Sequence, residues 1–144
     1  MRAFAVGCIL VAFLLPACGG GGSSPSAPTA QTLQGTWRAT KAEFVSGSTR
    51  MDVVAQGATV TLAFSGNSYT FTMTTSGQAP EVQTGTWSAS SEVMTLVRTG
   101  SGGNQQFDMT FSGNNLTLNN GSAWFDFNTG NFVDAKLSMT LVRQ

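Results

Sequence analysis

Beyond residue 57 the chain alternates apolar and polar positions with a period of two. Between Thr59 and Phe64, residues Val60, Leu62 and Phe64 fall on one face, and Thr59, Thr61 and Ala63 on the other. Ser68 to Thr74 repeats the alternation, with Tyr69, Phe71 and Met73 on the apolar face. Such patterning, rich in Thr, Phe and Val, predicts half-buried β-strands. Ser65-Gly66-Asn67 separates the two runs. Gly and Asn tolerate positive φ, so the pair of runs predicts a hairpin. An opening strand is expected over Gly35 to Val45. Ser46 to Gln56 carries no secure strand pattern and is expected to be a loop or a short lid.

The pattern recurs downstream. Phe64-Ser65-Gly66-Asn67 returns as Phe111-Ser112-Gly113-Asn114. Thr84-Gly85-Thr86-Trp87 through Met94-Thr95-Leu96-Val97-Arg98 returns at a constant offset as Thr129-Gly130-Asn131-Phe132 through Met139-Thr140-Leu141-Val142-Arg143, with seven of fifteen positions identical. Two similar four-strand units are therefore expected, about 57–98 and 104–143. Asn119-Asn120-Gly121-Ser122 is expected to form a further tight hairpin turn. Eight to ten short strands with no helical period predict an all-β domain. An up-and-down antiparallel β-barrel is one solution, and a two-sheet sandwich is the alternative that periodicity does not separate from it.

Leu33-Gln34-Gly35-Thr36-Trp37, at the start of the first strand, is similar to the G-x-W motif of lipocalins. The resemblance implies a lipocalin-like barrel whose tryptophan crosses the closed end beneath an arginine from a late strand. Arg143 on the last strand is the candidate partner of Trp37. In an up-and-down meander the first strand begins, and the last strand ends, at the same rim. The same logic assigns Trp87 and Arg98 to that rim, so barrel closure is expected from Trp37, Trp87, Arg98 and Arg143. An arginine over an indole contributes about 0.5–2 kcal/mol.

The N-terminus has a different composition. One charge, Arg2, precedes an uncharged run from Ala3 to Leu15. As a helix this run rises only about 20 Å, too short to span a bilayer. A charged start, a short apolar core and small residues before a cleavage point are signal-peptide features. Leu15-Pro16-Ala17-Cys18 resembles the lipobox of bacterial lipoproteins. That resemblance implies cleavage before Cys18, lipidation of its thiol and a membrane-anchored protein of the cell envelope. The alternative is an ordinary cleavable signal that leaves Cys18 as a free thiol. Gly19 in place of Asp after the cysteine implies, by the enteric sorting pattern, the outer membrane. Residues 18–32, rich in Gly, Ser and Pro, form a tether that reaches roughly 20 Å on average. The domain expected beyond it is 33–144.

Composition narrows the function classes. Dropping Arg2 from the seven basic residues leaves six against seven acidic ones, with no basic block for a phosphate backbone, so nucleic acid is not an expected partner. The chain has no histidine, and its two cysteines, Cys8 and Cys18, precede the domain. The commonest general base, thiol nucleophiles, thiolate metal sites and domain disulfides are thereby removed. No G-x-S-x-G or S-x-x-K pattern occurs, and Gly100 to Asn104 lacks the Lys-Ser/Thr of a phosphate loop. Asp126-Phe127-Asn128-Thr129-Gly130 opens like a calcium loop, but Leu137 stands where the bidentate Glu is needed, so an Asx-type turn is expected. Glu43, Asp52, Glu81, Glu92 and Asp108 form no evident pair in sequence, although residues distant in sequence can converge as a glycosidase does. The expectation is a non-enzyme with no cofactor and no metal.

The apolar inward faces remain. Phe64, Tyr69, Phe71, Met73, Phe107, Met109 and Phe111 are the candidate ligand-binding residues, since aromatic and methionine side chains make good pocket walls. They fill a solid barrel equally well, and an eight-stranded barrel is just wide enough for either. Trp124 and Phe125 must face opposite sides, so one of them is expected to be exposed near a rim. Two functions follow. One is an anchored barrel that binds a small hydrophobic ligand. The other is a packed interaction module, for an envelope protein or as a protease inhibitor, without a cavity.

Overall fold

A computed structural model describes residues 30–100 and 103–144. The expected leader (1–17), Cys18 and the tether as far as residue 29 lie outside the described residues. The last tether residues and Leu33 form a single helical turn, α1 (Ala30–Leu33). Nine strands follow: β1 (Gly35–Ser46), β2 (Thr49–Asp52), β3 (Thr59–Ser65), β4 (Ser68–Thr74), β5 (Glu81–Ala89), β6 (Val93–Arg98), β7 (Asn104–Ser112), β8 (Asn115–Asp126) and β9 (Phe132–Arg143). All neighbours are antiparallel, and β1 pairs with both β3 and β9. Eight strands therefore close into an up-and-down barrel, with β2 as an addition. The sandwich alternative is excluded by that closure.

Period two does the sorting. In β3, Val60, Leu62 and Phe64 are buried while Thr59 and Ser65 face water. β9 buries Ala135, Leu137, Met139 and Leu141 on one face. Among the described residues every buried side chain is apolar or aromatic. Burial at roughly 25 cal/mol per Å² is what holds such a domain, whose described residues include no cysteine.

Residues 46–56 are not a lid. β2 pairs with the far half of β1, from Glu43↔Asp52 to Ser46↔Thr49, where β3 no longer follows β1. It therefore patches the wall. The Asp52 carboxylate turns the chain back by accepting from the N–H groups of Ala42, Val54 and Ala55 at 3.2, 3.1 and 3.3 Å. A four-residue strand with one apolar side chain is too short to show a period.

The internal repeat is only partly structural. Gly66-Asn67 and Gly113-Asn114 each make a two-residue hairpin turn at the same end of the barrel. The Asn67 carbonyl accepts from Trp87 N–H at 2.9 Å, and that of Asn114 from Arg143 N–H at 3.0 Å. The second unit, however, has three strands rather than four. Asn119 to Ser122 is no hairpin turn; it lies inside β8, where the register with β9 shifts between Leu118 and Gly121. Asn120, at φ 64°, takes up the extra residue as a bulge. Gly121 is needed there because the Phe107 ring lies on it: a Cβ would sit 1.9 Å from Phe107 Cε1.

One end of the barrel is sealed. Leu33, fully buried, packs beneath it, and the Leu33 carbonyl accepts from Trp37 Nε1 at 2.9 Å. The Arg143 guanidinium lies 4.3 Å from the Trp37 ring centre, donates to the Gln34 carbonyl at 2.6 Å and also reaches the Thr32 carbonyl. Gln34 in turn holds the first hairpin turn through Gly66 N–H at 2.8 Å and Gly66 carbonyl at 2.9 Å. Gly66, at φ 56°, occupies the left-handed region. Gly66→Val is expected to cost about 2 kcal/mol from that backbone strain, read from urea unfolding midpoints. An unmoved midpoint would show that the turn tolerates a β-branched residue and that its conformation is not what seals this end.

Candidate functional site

The other end is open. A cavity of about 1040 Å³ enters the barrel there, bordered by the β1–β2, β4–β5, β6–β7 and β8–β9 connections. Its walls carry Phe44, Phe71, Met73, Leu96, Phe107 and Met139, with Met51 and Val53 contributed by the β2 patch. Phe71 and Met73 are only half-buried because their faces look into this space. The barrel is therefore solid at one end and hollow at the other.

The seven candidate ligand residues divide along that line. Phe71, Met73 and Phe107 line the cavity. Phe64, Tyr69, Met109 and Phe111 do not; they belong to the packed end. Phe64 tilts against the Trp87 ring at 4.5 Å, and Phe111 meets Trp37 edge-on at 6.1 Å. All seven share one face of the sheet, and what separates them is depth along the barrel axis. Sequence reasoning missed Phe44, Leu96 and Met139, each of which sits on a predicted strand.

The four closure residues divide as well. Trp37, Trp87 and Arg143 gather at the sealed end, where Trp87 Nε1 donates to the Gly66 carbonyl at 3.0 Å. Arg98 does not join them. It ends β6 at the open end and lines the cavity. The reason is directional: strands three apart in an antiparallel meander run opposite ways, so Met94–Arg98 in β6 climbs toward the open end while Met139–Arg143 in β9 descends from it.

Arg98, exposed at the open end, pairs with Gln83 of the neighbouring strand. Gln83, its amide oxygen turned toward β6, accepts from Arg98 Nε at 3.0 Å and from Nη1 at 3.1 Å. Across the ladder, Tyr69, Gly85 and Arg98 stand in one row over β4, β5 and β6. Gly85 has no side chain to separate its neighbours, and a Cβ there would lie 2.7 Å from Tyr69 Cε1. The Tyr69 hydroxyl is buried and has no hydrogen-bond partner. An unpaired buried hydroxyl costs about 1–3 kcal/mol. Burial raises the phenol's pKa above its ordinary value while Arg98 acts in the opposite sense, so the hydroxyl keeps its proton as a donor.

The mouth carries charges of both signs. Glu81, Asp126 and Asp134 border it, and Lys136 there donates to Ser122 Oγ at 3.0 Å. Asp126 also makes the Asx-type turn, its Oδ1 accepting from the N–H groups of Thr129 and Gly130 at 2.8 and 3.1 Å. Among the described residues no three His, Cys, Asp or Glu side chains gather as a metal site. Phe125 stacks inward on Phe44 at 3.8 Å, whereas Trp124 points out, 70% exposed, close to the exposed Phe132 on the same hairpin.

Comparison with curated proteins and with solved structures gives no match. A family model described as a lipocalin-like domain matches residues 33–118, from the plug residue Leu33 to the β8 bulge. That match spans more than half of the sequence and agrees with the closed eight-stranded barrel: the chain belongs to the lipocalin-like domain family.

Proposed function

We propose that the protein is a lipid-anchored lipoprotein of the cell envelope whose barrel binds a small hydrophobic ligand without transforming it. The observation that carries the ligand-binding part is the open cavity of about 1040 Å³, floored by the packed end and walled by aromatic and methionine side chains. Its size suits a lipid-like or drug-sized molecule, and each methylene buried there gains about 0.8 kcal/mol. Anchoring rests on the lipobox-like Leu15-Pro16-Ala17-Cys18, and Gly19 favours the outer membrane as the address. The absence of histidine from the sequence supports binding rather than catalysis.

Titration of the full chain with a fluorescent fatty acid, followed by competition with an unlabelled one, is the test. Saturable one-to-one binding that the competitor reverses is expected. Failure to bind in a folded chain removes the ligand-carrier function. A second reading, an interaction module for an envelope protein, is favoured by the exposed Trp124 and Phe132. It expects loss of partner capture in Trp124→Ala with ligand binding intact.

A further inference from the structure

We infer that the cavity has a second, lateral opening between β7 and β8, and that this cleft takes the uncharged, hydroxyl-rich head group of an amphiphile whose tail lies in the barrel. This deepens the ligand-carrier proposal and rests on it. The wall parts at two places. Where β3 leaves β1 after Arg38↔Thr61, β2 closes the gap. The β7–β8 ladder likewise ends at Asp108↔Asn119, beyond which residues 104–107 pair with β6 and residues 121–126 with β9, but not with each other. Among the described residues no strand fills this second gap. The β8 bulge at Asn120 sits where the two strands part, and a bulge bends the strand that carries it. A side chain stands in for the missing ladder: Gln105 Nε2 donates to the Ser122 carbonyl at 2.5 Å.

The cleft joins the cavity to the outer surface. Asn104, Phe107, Ser122 and Lys136 line the cavity and also a groove of about 410 Å³ on the outside of the wall. The Phe107 ring, lying on Gly121, bounds the end where the strands meet. The groove's own lining sets the head group. It holds one carboxylate and one ammonium, and both are engaged: Asp108 accepts from Asn120 Nδ2 at 2.6 Å, and Lys136 donates to Ser122 Oγ at 3.0 Å. A charged head of either sign would therefore meet a like charge beside its opposite. The Asn104 and Gln106 amides, exposed on the outer face of β7, border the same groove and make no hydrogen bond among the described residues. Each amide offers donors and an acceptor, the combination that hydroxyl groups need. A tail reaching inward past Phe107 meets Phe71, Met73 and Leu96.

Isothermal titration of the full chain with octyl glucoside, below its micelle concentration, and with octanol isolates the head group, because the two share a tail. The glucoside is expected to bind about tenfold more tightly, the worth of one or two neutral hydrogen bonds. Octanoate and octyltrimethylammonium should gain nothing over the alcohol. Asn104→Ala combined with Gln106→Ala, both at exposed strand positions, should abolish the glucoside's preference and leave octanol affinity in place. Gln56→Ala combined with Gln78→Ala, which removes two amides bordering the cavity away from the cleft, should leave the preference intact. Equal affinity for glucoside and alcohol in the wild type overturns the cleft as a head-group site and leaves the carrier function standing. A preference that survives the groove variant, or one lost in the Gln56 and Gln78 variant, does the same. Octanoate binding at least as tightly as the glucoside overturns the uncharged head group. Binding of none of the four compounds overturns both proposals.

Discussion

Gly85→Ala is expected to destabilise the barrel by about 3 kcal/mol or more, beyond the usual range for a one-carbon insertion. A Cβ at this position would lie 1.9 Å from the Val97 carbonyl oxygen and 2.7 Å from Tyr69 Cε1. The first of these is main chain of the adjacent strand, so no rotamer change relieves it. Either β5 and β6 separate, losing the pairing from Gly85↔Arg98 to Ala89↔Met94, or the Tyr69 ring is expelled from the core. Gly103→Ala is the control, because nothing lies within 4 Å of its Cβ and its φ is not positive. It should shift stability by less than about 0.5 kcal/mol, in the stabilising direction if at all. Urea unfolding of the two variants measures the difference. Equal midpoints would mean that β5 and β6 can part at this point without cost, and that the Tyr69 ring does not depend on the space Gly85 leaves.

The strands were legible wherever the period ran unbroken. Val60, Leu62 and Phe64, or Met139 and Leu141, declare their face within a few residues. Bulges defeat that reading. In β1 the register against β9 shifts between Ala39 and Lys41, so Trp37 and Ala39 point inward and, past the bulge, Ala42 and Phe44 do too. A strict alternation from Trp37 puts Phe44 on the outside, which is why a cavity wall residue went unnoticed. The β8 bulge at Asn120 acts alike, and its Asn-Gly pair imitates a hairpin turn so well that sequence alone reads it as one. One extra residue exchanges the two faces of everything that follows.

Depth along the barrel is a second quantity that alternation does not encode. Phe64 and Phe71 lie on the same inward face of a single hairpin, yet one is core and the other cavity wall. Only the tilt and stagger of the closed sheet set which end each occupies. The misplacement of Arg98 has the same origin. Its pentapeptide is identical to that of Arg143, and identity of sequence implied identity of place. Chain direction, fixed by the count of intervening strands, sends one arginine to cover an indole and the other to the exposed rim of the cavity.

Trp37→Ala should cost about 3–5 kcal/mol, the range for emptying a fully buried aromatic site. Trp37 is 0% exposed, and its removal strips the ring from between Arg143 and Phe111 and leaves the Leu33 carbonyl without its indole donor. Arg143→Ala alone should cost about 1–3 kcal/mol through lost cover of the ring and the loss of its bonds to α1 and the residue after it. The two effects share one contact, so the double variant should fall short of their sum by about 0.5–2 kcal/mol. Strict additivity would assign Arg143 wholly to the Gln34 and Thr32 carbonyls and leave the indole sealed by packing alone. The cavity lies toward the opposite end from this plug. A conservative Trp37→Phe variant, which keeps a ring beneath Arg143, should therefore lose stability while its affinity for a hydrophobic ligand changes by less than about twofold. A parallel loss of affinity would mean that the two ends are mechanically coupled and that the packed half of the barrel does more than support the hollow half.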